Sequence, residues 1–469
     1  MDNSCLSAAK RPRLTAEDLA RAGVLRDVAK PEQACERARS LIRQGKYREA
    51  HAILQPHLRR TSGPTSTIVL ELLGRCAMAG AGGSWKDLLT EAHDRRIEQG
   101  EEVAAASTNL RLAEMHLGTG DFATAECLLD AAAETFRRAN NRTGRDEAAI
   151  LRARLHLRLG EVSRARALLD DIVALPDRAP IPATELRARL TRALALTMAG
   201  DVPGARGEML LVEDRFAAGV GRGDWVWARL MRGELLLRQG SANKATRSLM
   251  TLHDELGNGE DATVRALLLS LLGRASQNSD ACAARRHLLL ARQLYKALGQ
   301  TYLIAESDIY LARVEARLSL DAETRLVALP PGVLNDWPVL KTALALTVLQ
   351  LNDTCVPEGL IAQLERMRGE AQGRGDRSLA AEIDVALRAE GVPVENADLL
   401  IALAPELDLG ASTVRSGVTM PSALDGDSGC KVGLRPTAVF SRLLGSSSVP
   451  RDLTPGLVRP QPKGIRLAG

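Results

Sequence analysis

Leu112-Ala113 followed by Gly120-Asp121-Phe122-Ala123-Thr124-Ala125 decides how this chain is read, because the same order returns three more times. Arg152-Ala153 stands ahead of Gly160-Glu161-Val162 and Ala165, and Arg192-Ala193 ahead of Gly200-Asp201-Val202 and Ala205. Arg232-Gly233 then stands ahead of Gly240-Ser241-Ala242 and Ala245, so the pattern fills Asn109–Met250 in steps of 40 residues. Self-similarity at one fixed period of this size marks a repeat architecture, in which a unit too small to cover its own apolar face stacks on its neighbours.

One unit explains itself physically. Leu110, Ala113, His116 and Leu117 fall at helical spacing on one face. Gly120 closes that helix, since glycine takes the left-handed conformation without a Cβ penalty. Asp121 sits in the turn, and Phe122, Ala125, Leu128, Leu129 and Ala132 line one side of a second helix. Two antiparallel helices joined so tightly approach closely only where small side chains meet, which is the place of Ala113 and Ala125. The first-helix small position extends outward as Ala38, Gly74, Ala113, Ala153, Ala193, Gly233, Gly273, Ala312 and Ala345.

A small residue, then glycine seven positions on, an aromatic or aliphatic two further and alanine three beyond resembles the tetratricopeptide repeat. Gln44-Gly45-Lys46-Tyr47-Arg48-Glu49-Ala50 matches it best, with Tyr47 at the aromatic position and Ala50 at the second small one. The likeness spans roughly Pro31–Glu390. It departs from the family in its longer period, in the missing aromatic near the start of the first helix, and in one position of that helix. There the leucine kept at Leu73, Leu112, Leu272 and Leu311 gives way to Arg152, Arg192 and Arg232. The resemblance implies an all-α fold: a right-handed superhelical solenoid of about eight or nine helix pairs. With the charge and composition of the two ends, three segments are expected: a basic leader with a possible capping helix over 1–30, repeats over 31–404 and a disordered tail over 405–469.

Composition agrees with the all-α class. Hydrophobic residues make up 45% but aromatics only 3%, a balance that suits Leu/Ala-rich helix pairs and supports strands poorly. The net charge of +4, from 62 basic and 58 acidic residues, gives no global field for direct nucleic-acid binding. The seven cysteines are scattered without a CxxC pair, which fits reduced thiols better than a disulfide framework or a zinc site. No run approaches 20 apolar residues, so no membrane span or membrane partner is expected.

Along the chain, Met1–Leu14 is polar and holds Lys10-Arg11-Pro12-Arg13. In a eukaryote, Lys10, Arg11 and Arg13 would pass for a nuclear-import signal; an ordinary charged start is the plainer reading. The expected location is cytoplasmic, or nuclear with a eukaryotic source. Ala79-Gly80-Ala81-Gly82-Gly83-Ser84-Trp85-Lys86 reads as a long flexible turn without phosphate-loop spacing. Pro176–Pro182 and Ala217–Gly223 read as inter-repeat loops. After Ala312 the pattern loosens, Leu329-Pro330-Pro331-Gly332 with Trp337 marks a junction, and helices are expected over Ala343–Leu351, Glu358–Gln372 and Ser378–Glu390. Beyond Pro405 no periodic apolar face remains, although Ala438-Val439-Phe440-Ser441-Arg442-Leu443-Leu444 is a short apolar piece suited to ordering on a partner.

Stacked first helices form the concave face on which such repeats hold extended peptides or helices. The position after the small residue contributes Arg154, Glu234 and Arg274, with Arg158, Arg187, Trp227 and Arg238 nearby. Arginine holds carboxylates bidentately and Trp227 offers a flat anchor, so an acidic or C-terminal peptide is one expected ligand; solvated, mutually balanced charges are the other reading. Arg152, Arg192 and Arg232 are either bridged to acids on neighbouring helices or form a ladder awaiting an anion, since buried unpaired arginines cost too much. His116 and His156 recur one repeat apart but lack further ligands, so packing is expected rather than a metal. No catalytic or cofactor motif is present. The expected function is a non-enzymatic scaffold or adaptor for a partner protein or peptide. Two alternatives stand beside it: a sensor module similar to that of maltose-regulator-type transcription activators, binding a small effector or regulatory protein, and a nuclear subunit of a ubiquitin ligase or chromatin-associated complex.

Overall fold

The structure is a computed structural model that describes residues 30–59, 61–173, 183–217, 222–257, 261–351, 356 and 359–392. The leader and the segment over 405–469 therefore lie outside the described residues. Within them the fold is all-α, with twenty α-helices and no strand. The chain opens with α1 (Pro31–Arg43), α2 (Tyr47–Leu54), α3 (Gly63–Met78) and α4 (Trp85–Glu98). The central stretch holds α5 (Glu102–Thr119), α6 (Phe122–Arg138), α7 (Arg142–Arg158), α8 (Val162–Val173), α9 (Ala183–Met198) and α10 (Val202–Ala217). There follow α11 (Arg222–Arg238), α12 (Ala242–Leu256), α13 (Ala262–Ser276), α14 (Ala281–Ala297) and α15 (Thr301–Arg317). Two short helices, α16 (Glu323–Val327) and α17 (Gly332–Asn335), lead to α18 (Pro338–Leu351), α19 (Leu360–Arg374) and α20 (Arg377–Ala389).

Each odd-numbered helix up to α13 forms a hairpin with the even-numbered helix after it, and α5, α7, α9, α11 and α13 also touch one another in succession. The turns are built as the glycine spacing predicts. Gly120, Gly160, Gly200 and Gly240 lie at φ 81°, 74°, 80° and 70°. In three of these turns the next amide reaches back five residues, with Glu161 N to His156 O, Asp201 N to Leu196 O and Ser241 N to Leu236 O all at 2.8 Å. Those bonds satisfy carbonyls that a helix end leaves open.

The small positions mark the closest helix approach. Ala38, Ala113, Ala153, Ala193, Ala312 and Ala345 are wholly buried. A Cβ added at Gly74, Gly233 or Gly273 would stand 2.5 Å from Leu89, Leu249 or Leu288 on the paired helix. Leu129 and Leu169 occupy the corresponding places in α6 and α8 and are also fully buried. The long period has a simple origin, since α5, α6 and α7 run 18, 17 and 17 residues.

Contacts also join parts of the chain far apart in sequence, along a seam. Ala262 N donates to Ala79 O at 3.0 Å, and Thr263 Oγ1 to Met78 O at 2.8 Å. The glycine turn after α3, expected to be flexible, is thus pinned against the start of α13, where Gly80 has no room for a Cβ beside Ala262. Tyr47 bonds through its hydroxyl to Asp261. Further along, Gln300 approaches Met115 Sδ at 3.7 Å, and Trp337 Nε1 donates to Gly120 O at 2.9 Å. α15 packs on α5 and α20 on α9. One core accordingly combines Leu117 and Phe122 with Tyr302, Trp337 and Leu344. The Pro330–Trp337 junction gains its order here, because the Trp337 ring is buried against Tyr302 at 5.2 Å. The three late helices match their expected positions but begin at Pro338, Leu360 and Arg377.

Candidate functional site

The 40-residue register places Glu114, Arg154, Glu234 and Arg274 at equivalent points of α5, α7, α11 and α13, where same-face neighbours meet directly. Arg154 Nη1 lies 2.8 Å from Glu114, and Arg274 Nη1 lies 2.7 Å from Glu234, each pair separated by 40 residues. Arg238, one helical turn after Glu234, donates to it from Nε at 2.7 Å. Glu234 is buried, which pushes its carboxyl up, but the Arg274 and Arg238 guanidiniums outweigh burial and hold it at about 2. That charge state is fixed at neutral pH.

Aromatic rings flank this network. The Arg154 guanidinium stands 5.2 Å from the Trp227 ring, and that of Arg158 stands 4.6 Å from the Tyr302 ring. Tyr310 is shared, with Arg274 at 4.9 Å and Arg313 at 5.3 Å. Arg313 is further held by Thr347 Oγ1 at 2.7 Å and by the Ala343 carbonyl at 3.1 Å. Burial pushes the Tyr302 hydroxyl up to about 12 despite the nearby Arg158, so it stays protonated and able to donate. Asp376 faces Arg238 from the start of α20 and accepts from Leu379 N at 3.0 Å, while burial pushes its carboxyl up to about 6.

Of the residues singled out from sequence, Arg154 and Trp227 come together, Arg158 meets Tyr302, and Glu234, Arg238 and Arg274 form one cluster. Arg187 lies 3.5 Å from Glu147 in a half-exposed pair. Arg152, Arg192 and Arg232 each face an acid on the preceding helix. Arg152 pairs with Asp130, and Arg192 with both Asp170, at 2.6 Å, and Glu208. Arg232 pairs with Glu213 at 2.6 Å. The first two reach back 22 residues to the same place in the repeat. The equivalent place before Arg232 is Leu210, and Arg232 turns to Glu213 three residues further on instead.

His156 Nδ1 meets Glu161 at 2.7 Å and His116 Nδ1 lies 3.3 Å from Asp121, each histidine serving the turn acid of its own repeat. No group of three or more His, Cys, Asp or Glu side chains that could hold a metal occurs among the described residues. No described helix is long and apolar enough to cross a membrane. Two clefts, of about 100 and 360 Å³, open along the seam at Gly160 and Gly200, and Asp376 lines the first of them. Lys10, Arg11 and Arg13 lie outside the described residues.

Sequence reasoning passed over Tyr302, Tyr310 and Asp376. A signal was present, because Tyr295, Tyr302 and Tyr310 are three of only four tyrosines in the chain. They fall within one hairpin and the helix after it, opposite the arginines. Asp376 carried no such signal, since its partner Arg238 lies on a helix far away in sequence. No protein-family model matches this chain, and no curated protein matches it.

Proposed function

We propose that this chain is a non-enzymatic interaction scaffold of tetratricopeptide-like build. In this reading its hairpins wind as a right-handed solenoid, and an acidic segment of a partner protein lies along the inner face. Seam partners 185 and 217 residues apart support one superhelical turn over about that length of chain. The observation that carries the functional reading is the meeting of Arg154, Arg158 and Arg274 with Trp227, Tyr302 and Tyr310 from separate hairpins. A guanidinium stacked by its face on a ring keeps its N–H edge pre-organised for a carboxylate. Arg154 suits exchange best, since its present partner Glu114 is half-exposed and such a pair contributes little.

The test is affinity purification of the full-length chain from its native cell, beside Arg154→Ala and Trp227→Ala variants of unchanged helicity. A reproducible set of partner proteins, depleted by both variants, is expected. No partner, or an identical set with the variants, rejects the reading.

A second reading is favoured by how tightly the Glu234, Arg238 and Arg274 cluster is enclosed. A sensor module taking a small anionic effector would use the same arginines. Stabilisation of the thermal transition by a small di- or tricarboxylate, lost in Arg154→Ala, would select it over a protein partner.

A further inference from the structure

One charged residue of the first-helix register stands outside the network that carries the scaffold reading. The charged residues directly after the small positions from α3 to α15 are Arg75, Glu114, Arg154, Glu234, Arg274 and Arg313, four arginines against two glutamates. Glu234 serves Arg274, and Arg313 rests on Thr347, the Ala343 carbonyl and the Tyr310 ring. Glu114 stands between Arg75 and Arg154 in the register and pairs with Arg154. Among the described residues Arg75 makes no ion pair and no side-chain hydrogen bond.

Its surroundings add positive charge. Gly74 turns to Leu89 of α4, so Arg75, about 100° further round the helix, turns toward α5, half-buried beside Arg111. Arg111 stands 3.8 Å from Glu71, and its Nε is buried without a hydrogen bond. Glu71 already accepts from Arg96 at 2.7 Å. Tyr47, also near Arg75, gives its hydroxyl to Asp261, whose Oδ1 accepts from the Thr263 and Val264 amides at 2.9 and 3.1 Å. These carboxylates are thus engaged elsewhere. Burial, and after it the Arg111 charge, push the Arg75 guanidinium down from its ordinary value. An arginine so placed costs the free protein stability and regains it against an anion.

We propose that Arg75, together with Arg111, is the point at which the inner face takes a carboxylate of the partner's acidic segment. This assignment rests on the scaffold reading and deepens it. At Arg154 an incoming carboxylate must displace Glu114, whereas at Arg75 it displaces no pair. A carboxylate there also offsets the repulsion between guanidiniums on α3 and α5, and Arg154 extends the grip along the same register.

The experiment measures binding of fluorescein-labelled decaglutamate to the full-length chain by anisotropy, with decaglutamine as control, beside the thermal transition of each protein without peptide. Arg75→Gln removes the charge and keeps a polar side chain. It is expected to bind decaglutamate about tenfold more weakly than wild type, or worse, while its own transition lies at or above that of wild type. Decaglutamine should not bind. Unchanged affinity in Arg75→Gln beside a loss in Arg154→Ala overturns the assignment and leaves the scaffold reading standing. A transition lowered in Arg75→Gln marks a structural arginine and overturns the assignment too. No binding of decaglutamate, equal binding of decaglutamine, or an affinity indifferent to both variants overturns the acidic-segment reading and the assignment together.

Discussion

Trp337 Nε1 donates a 2.9 Å hydrogen bond to the carbonyl of Gly120, 217 residues earlier, and its indole lies where a Cβ on that glycine would stand. One residue thus ends a helix and seats an aromatic ring from a distant part of the chain. Gly200 ends its helix with the same left-handed backbone, but its nearest neighbour for a Cβ is Arg377 at 3.7 Å. Gly200→Ala should therefore cost about 1–2 kcal/mol from backbone strain alone. Gly120→Ala should cost a further ~1–3 kcal/mol of overpacking, read as the difference between their denaturant midpoints. Equal losses would mean that the indole moves aside freely.

Glu234 anchors two buried guanidiniums, so removing its charge should hurt more than removing a surface acid. Glu234→Gln is expected to lose about 3–5 kcal/mol, because buried Arg238 and Arg274 lose the one carboxylate that both of them bond. Its carboxyl is depressed to about 2 in the folded protein. The stability it contributes is present above the ordinary glutamate range near 4.3 and drains away as pH falls toward 2. Wild-type and Glu234→Gln unfolding curves should converge as acid is added between those values.

Asp376 has the opposite sign. With its carboxyl raised to about 6 in the folded state, the contribution is full below about pH 4 and is lost as pH rises through 6. Asparagine keeps the helix-capping oxygen without the charge. Asp376→Asn should match the wild type near pH 4 and exceed it at pH 7.5 by on the order of 1–3 kcal/mol. A variant less stable at pH 7.5 would show that attraction to Arg238 outweighs burial.

Two of the three arginines that replace leucine should separate. Arg152 pairs with the exposed Asp130, so Arg152→Leu is expected to stay within about 0.5 kcal/mol of wild type. Arg192 also serves Glu208, which is buried and keeps only Arg189 when Arg192 is lost. Arg192→Leu should cost on the order of 1–3 kcal/mol by thermal or urea unfolding.

The helices and their pairing were legible because the determinants are local. A glycine that must turn left-handed, and an alanine that must face a helix axis, recur where geometry requires them. The junction near Trp337 was readable only as an interruption, since its order comes from Gly120 and Tyr302. Of the candidate site, the arginines were visible through their register. Their partners were not: Tyr302 and Asp376 reach Arg158 and Arg238 by closure across the chain, which no 40-residue pattern encodes, while Tyr310 meets Arg274 from the next first helix at a position the repeat does not mark. The same closure explains why the glycine-rich turn after α3, flexible by composition, is pinned at Ala79 and Met78.

That closure also sets a timetable. Met78 meets Thr263 185 residues later, so at ribosomal speeds of about 5–20 residues per second the α3 turn waits roughly 10–40 s for its partner. During that interval Gly120 lacks Trp337, and the polar groups and apolar wall at the seam face solvent or a chaperone. Early hairpins must persist on their own stacking until the later helices arrive to cover them. Slowing translation after α12 should therefore leave nascent chains more open to proteases than the finished protein is.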